Sequence, residues 1–237
     1  MTSLALVKVR LRQEPSIAAL RALLVPVGSN DRAMAGHHLI WTLFADTPDR
    51  RRDFLWREAD DGGFFILSSR EPVDRHGLFE ITQSQAYPAE FAIGQRYGFL
   101  LRANATTSWG GSATTRGHRA DVVMAALKGV AAGERAERRA EIAATAGRGW
   151  IERVGERSGF VLATQGEAAA PLLSMPRYRV MRIPRGGAPM KIGVLDFDGV
   201  IDVVDPERFR EAIGEGFGRA KAFGCGLMLL RPIDPNG

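Results

Sequence analysis

The 237-residue chain has one cysteine, Cys225, so it can form no internal disulfide and no cysteine-based zinc cage. Histidines are equally scarce. The four stand at 37, 38, 76 and 118, and no pair of them has convincing zinc-ligand spacing. No apolar run approaches the ~20 residues a membrane-spanning helix needs. The first residues enter an alternating strand pattern rather than a charged leader with an apolar segment, so the expectation is a cytoplasmic protein without a membrane partner. The most glycine-rich stretch lacks the Gly-Lys-Ser/Thr of a Walker loop, and Gly216-Phe-Gly218 lacks the third glycine of a dinucleotide-binding turn. What the chain does have is 45% hydrophobic residues, ample for one large or two small cores.

Lysine is scarce as well: 28 of the 32 cations are arginine, a bias that suits forked contacts to phosphate and that a GC-rich genome also produces. The net charge of +5 is unevenly spread. Residues 96–185 hold 14 Arg and Lys128 against 7 acids, a local +8, and the remainder holds 17 cations against 20 acids, or −3. Segregation of this kind points to a polyanion surface for nucleic acid, with a solvated basic helix pair as the alternative.

Leu4 to Leu11 alternates as a half-buried strand, and Pro15-Ser16 starts a short helix that Pro26 ends. Gly28 to Asp31 caps a second helix, which carries His37 and His38 and stops near Asp46-Thr47-Pro48. Strands are predicted at Phe54–Glu58, Phe64–Ser69 and Leu78–Gln83, the first two joined by a hairpin at Asp60-Asp61-Gly62-Gly63. Residues 87–94 read as a linker. A second series follows: a strand over Gln95–Asn104, a basic insertion over 105–120, and an Ala-rich helix over 121–146 weakened by Gly129 and Gly133. Beyond it lie a helix over Gly149–Arg157, strands at Phe160–Thr164 and Tyr178–Ile183, and a strand hairpin over Met190–Val204. Pro206 then opens a helix over Glu207–Ile213, and a glycine loop leads into a strand over Phe223–Leu230. The order is βαββαβ twice over, with a weak second helix in the first half. An α+β fold of tandem ferredoxin-like domains results, with boundaries at 1–86 and 95–237.

Gly214, Gly216, Gly218, Gly224 and Gly226 crowd 13 residues around Arg219 and Lys221. Such a stretch reads either as an anion seat built from exposed amides and two cations or as a tight turn that binds nothing. His37 is the leading candidate for proton transfer, since an imidazole near pKa ~6.5 both takes and returns a proton around neutrality. It shares a helix face with Met34 and Trp41 at a core edge, where a structural role is the alternative; His38 points elsewhere, toward solvent. Lys191 opens the strand Lys-Ile-Gly-Val-Leu-Asp-Phe-Asp-Gly-Val-Ile, otherwise an ordinary strand-edge cation. Within it, Asp196 and Asp198 imitate the aspartate-nucleophile motif of haloacid-dehalogenase-type phosphatases. Only 39 residues follow Asp198, too few for that family's sheet, so both are assigned to a hairpin turn.

Several stretches together resemble the CasE family, the CRISPR-associated endoribonucleases of the type I-E Cascade system within the repeat-associated ferredoxin-like superfamily. They are Leu4 to Leu11, His37-His-Leu-Ile-Trp41-Thr-Leu-Phe44, Arg52-Asp-Phe-Leu-Trp-Arg-Glu, Phe99-Leu-Leu-Arg-Ala-Asn104, Gly149-Trp-Ile, Lys191-Ile through Phe197-Asp-Gly-Val-Ile, and Gly216-Phe-Gly-Arg-Ala-Lys-Ala-Phe-Gly-Cys-Gly-Leu-Met. The resemblance spans almost the whole chain, and the glycine loop before the last strand is its most specific part. It implies cleavage of precursor CRISPR RNA at the 3′ base of each repeat hairpin without metal or other cofactor, retention of the product, and assembly with other Cascade subunits. It also implies His37 as the catalytic histidine, because Ile40-Trp41 follows as the family's aliphatic-Trp pair does, and Lys191 as an active-site cation. Some members carry a tyrosine three residues before the histidine; this chain departs from them with Met34. An RNA stem's deep major groove invites a basic element across it. Arg116, Arg119, Arg135, Arg138 and Arg139 are candidates for that contact, and Arg102, Arg219 and Lys221 for phosphates beside the glycine loop. A non-catalytic RNA-holding subunit and a magnesium-dependent phosphohydrolase using Asp196 and Asp198 are the competing functions.

Overall fold

The computed structural model describes residues 3–25, 29–46, 52–88, 90–109, 118–165, 170–185 and 187–233. In the first half, period-two alternation buries Val7, Val9 and Leu11 on one face of β1 (Ala5–Leu11). Helices α1 (Pro15–Leu24, proline in its first turn) and α2 (Ser29–Trp41) follow, then β2 (Phe54–Glu58), β3 (Phe64–Ser68) and β4 (Phe79–Ala86). The sheet runs β2-β3-β1-β4, antiparallel throughout. Its β2–β3 turn is tied by the Gly63 amide donating to Asp61 Oδ1. The weak helix expected between β3 and β4 is absent. That segment holds Pro72, and the Asp74 carboxylate accepts from the amides of Leu78 and Phe79, offering the backbone a partner other than a helical one.

The second half starts with β5 (Arg96–Ala103), β6 (Thr106–Trp109), β7 (His118–Asp121), α3 (Val122–Leu127) and α4 (Arg139–Ser158). It continues with β8 (Phe160–Leu162), β9 (Thr164–Gln165), β10 (Ala170–Pro171), β11 (Leu173–Arg185), β12 (Gly187–Val203), α5 (Pro206–Glu215), a 3₁₀ turn (Lys221–Phe223) and β13 (Met228–Pro232). Its main sheet runs β11-β12-β5-β13, with β8 also on β12. Numbering the four principal strands of each half in chain order gives 2-3-1-4 both times, the ferredoxin-like arrangement, in tandem.

Several predicted boundaries move. The basic insertion is in part a hairpin, β6 with β7, and the predicted Arg116 lies outside the described residues. The Ala-rich helix breaks after Leu127, and the two helices predicted either side of Gly147 are one 20-residue helix, α4. Gly147 is small for packing rather than for breaking: a Cβ there would come within 2.6 Å of Met175 Sδ and 3.1 Å of Leu195. No hairpin turn occurs at Asp196 and Asp198, which lie inside the single strand β12. The halves meet through shared core. Leu55 and Leu67 of the first sheet pack into the apolar cluster of the second half, and the buried Tyr87 hydroxyl donates to the Met228 carbonyl at 2.8 Å.

Candidate active site

Helix α2 is held from both halves. Ile40 and Leu39 anchor it in the first-half core with Phe64 and Ile66, and Ala33 and Met34 pack against Met181, Ile183, Ile192 and Val194 of the β11–β12 hairpin and against Cys225. Residues 34, 37 and 41 share a helix face, so His37 is delivered half-buried to the seam. His38 is exposed, as its position on the helix predicts.

The His37 Nε2 accepts a hydrogen bond from the Trp41 indole N–H at 3.1 Å, and Nδ1 is buried with no partner among the described residues. Burial, then the neighbouring His38, then Arg52 push the imidazole's proton affinity below its usual value. Arg52 leads into β2. Its own pKa is lowered by burial, and its Nη1 is buried without a partner among the described residues. Lys221, in the 3₁₀ turn that packs on α2, is lowered by burial and then by Arg52, with Glu215 acting the other way. An imidazole, a guanidinium and an ammonium thus share one half-buried locality. Cations crowded in this way suit an incoming anion.

The expected partner Lys191 is not brought to His37. It pairs with Arg182 across the hairpin and is exposed; alternation puts it on the face opposite Ile192, the residue that packs with Met34. Arg52 stands among the quoted motifs but carries no predicted role. Its signal was its place immediately before a buried strand, where a long cation is carried into the seam.

The glycine turn is closed on itself more than open to an anion. The amides of Phe217, Arg219, Phe223 and Gly226 donate to the carbonyls of Gly226, Asn104, Ala220 and Arg102. Gly214 belongs to α5, and the final strand begins only at Met228. Gly216, Gly218, Gly224 and Gly226 have positive φ. At Gly218 a Cβ would also meet the Asn104 carbonyl at 2.9 Å, so both conformation and space require glycine. What the turn presents outward is side chains. Arg219 joins Arg119 and the unforeseen Arg157 around a hollow of about 370 Å³ that also includes Ser108, Thr106 and Trp150.

The remaining predicted cations are dispersed. Arg102 donates through Nε to Asp196 Oδ1 at 2.7 Å, and Arg179 Nη1 donates to Asp196 Oδ2 at 2.9 Å. Arg135 donates to the Val130 carbonyl, Arg138 approaches Glu141 at 3.8 Å, and Arg139 is exposed at the start of α4. Asp196, its two oxygens engaged by arginines, is an ion-pair centre. Among the described residues no group of three or more His, Cys, Asp or Glu side chains is placed to hold a metal ion. No helix among them is long and apolar enough to cross a membrane.

The family model for "CRISPR associated protein" matches residues 6–232. The chain belongs to that family. A Thermus thermophilus protein named CRISPR-associated endoribonuclease Cse3 is 30% identical over 77% of the chain and 81% of its own length. The Escherichia coli K12 CRISPR system Cascade subunit CasE is 23% identical over 83% of the chain and 90% of its own length. In fold, Thermus thermophilus Cse3 bound to an RNA representing a pre-cleavage complex superposes with a TM-score of 0.66 at 24% identity, covering 97% of this chain and all of that one.

Proposed function

We propose that the protein is a metal-independent endoribonuclease that cuts precursor CRISPR RNA at the 3′ base of the repeat hairpin and stays bound as a Cascade subunit. The observation that carries this reading is a half-buried His37 beside the charge of Arg52, with Lys221 on the 3₁₀ turn that packs on the same helix, in a member of this family. Two family relatives bear the names endoribonuclease and Cascade subunit, which supports the substrate class and the assembly.

In the reaction the RNA's own 2′-hydroxyl attacks the adjacent phosphorus and loses its proton. The P–O5′ bond breaks, and the 5′-oxygen gains a proton. The products are a 2′,3′-cyclic phosphate, which water can open at P–O2′ to a 3′-phosphate with a free 2′-hydroxyl, and a 5′-hydroxyl. His37 exchanges one of these protons, and Arg52 and Lys221 stabilise the charge that gathers on the phosphorane. Lys191, on the hairpin's other face, enters as an RNA contact together with Arg119 and Arg219. A non-catalytic RNA-holding role is the second reading. It is favoured by Met34, which puts a thioether, with no hydroxyl, one turn before His37.

The test uses purified protein with a repeat-hairpin RNA in EDTA, followed by mapping of the ends. His37→Ala is expected to slow cleavage by about 10²–10⁴-fold with hairpin binding retained. Wild-type cleavage rates in His37→Ala, or abolition of activity by EDTA, would overturn the proposal. Intact RNA after incubation with wild-type protein selects the non-catalytic reading.

A further inference from the structure

A neutral imidazole has one lone pair, and in this protein Trp41 covers it. We propose that Trp41 is a positioning residue for His37: its indole N–H fixes the imidazole proton on Nδ1 and must release Nε2 before the ring takes up a second proton. The proposal rests on the reading of His37 as the proton carrier.

The two residues lie one turn apart on α2, with rings at 84° and Nε1 3.1 Å from Nε2. An indole nitrogen only donates, so Nε2 carries the lone pair and the proton sits on Nδ1. Nδ1 has no partner among the described residues, which leaves the Trp41 bond to set the tautomer. The indole is itself held. It meets the Phe54 ring edge-on at 5.2 Å, and Phe54 stacks on Phe44 at 4.5 Å. The charged and titratable groups around His37 act with this bond: His38 on α2 and Arg52 ahead of β2 oppose a positive imidazole, and Arg52 and Glu215 act in turn on Lys221 of the 3₁₀ turn packed on α2.

A second proton on His37 would set its N–H against the indole N–H. In the free protein, then, both ring nitrogens are committed, one by its proton and one by Trp41. Once the ring takes a second proton at Nε2, from the attacking 2′-hydroxyl or from solvent, a phosphate oxygen at that edge accepts from the new Nε2–H and offsets the lost Trp41 bond. His37 is in this way held out of proton traffic until RNA docks.

The test is long-range ¹H–¹⁵N spectroscopy of the full chain with labelled histidine, following each ring nitrogen through a pH titration. In wild type the neutral His37 is expected with Nδ1 protonated and Nε2 bare. Trp41→Phe keeps the ring against Phe54 and removes the N–H. It is expected to abolish the Nδ1–H preference and to raise the His37 midpoint by about half to one pH unit, roughly three- to tenfold in proton affinity. The acid limb of the cleavage profile should move with it. A wild-type Nε2–H tautomer, or a Trp41→Phe protein with unchanged tautomer and midpoint, overturns the proposal. The wild-type tautomer decides the point even if the variant fails to fold. His37→Ala with full activity would remove the catalytic reading and leave the tautomer result standing.

Discussion

Asp196→Ala tests the seam most directly. The carboxylate accepts from Arg102 and Arg179, the three side chains being 16%, 19% and 26% exposed. Arg57, its Nη1 buried without a partner among the described residues, adds a third positive charge. Burial pushes the Asp196 carboxyl up, but the hydrogen bond and charge of Arg102 and the charges of Arg179 and Arg57 outweigh it and hold the group below its usual pKa. Removing the carboxylate leaves half-buried guanidiniums uncompensated, which costs about 3–5 kcal/mol for a buried pair. At the lower end, about 3 kcal/mol, the melting point of a chain this size falls by roughly 6–12 °C.

A folded-state pKa below the unfolded ~3.9 means that Asp196 stabilises fully above that value and loses its contribution as pH falls through the folded one. Urea unfolding should therefore show the whole deficit at pH 7 and a narrowing gap between wild type and variant only below about pH 4. A deficit under about 0.5 kcal/mol at pH 7, the range of a solvated surface pair, would refute the reasoning. Folded Asp196→Asn should retain cleavage, and its inactivity would return Asp196 to the chemistry.

Gly218→Ala places a Cβ at φ +74 and 2.9 Å from the Asn104 carbonyl. Its cost is expected at about 2–3 kcal/mol, with a matching loss of hairpin affinity in a filter-binding assay; a variant as stable as wild type would contradict the assigned turn. Tyr87→Phe deprives the buried Met228 carbonyl of its hydroxyl donor. It should lower the urea midpoint by the equivalent of about 1–2 kcal/mol while leaving cleavage unchanged.

Strands whose residues alternate, such as β1, and elements punctuated by proline, such as α1 and α5, were legible because their signals are local. The two helices predicted over 121–146 and 149–157 were split wrongly because the glycine between them, Gly147, answers to a sulfur atom on β11, and no window around residue 147 contains that. Asp196 misled in the same way: two acids near a glycine look like a turn until arginines from β5 and β11 appear beside them. The helix face that carries His37 was readable from the spacing of Met34 and Trp41. The neighbours of His37 were not, since Lys221 arrives only through the packing of the 3₁₀ turn on α2 and Arg52 comes from the segment ahead of β2. Lys191 was mispaired because one residue of strand phase separates it from Ile192, and phase against a distant helix is invisible in the string.

The seating of α2 on the β11–β12 hairpin has a practical corollary. Neither half produced alone would own a finished site: the first would carry the histidine with its supporting floor missing, and the second would carry the lysine and hairpin with nothing to serve. Reconstitution from two separately made pieces would then restore turnover only as fast as the pieces reassociate, making the appearance of product a clock for the joining of the halves.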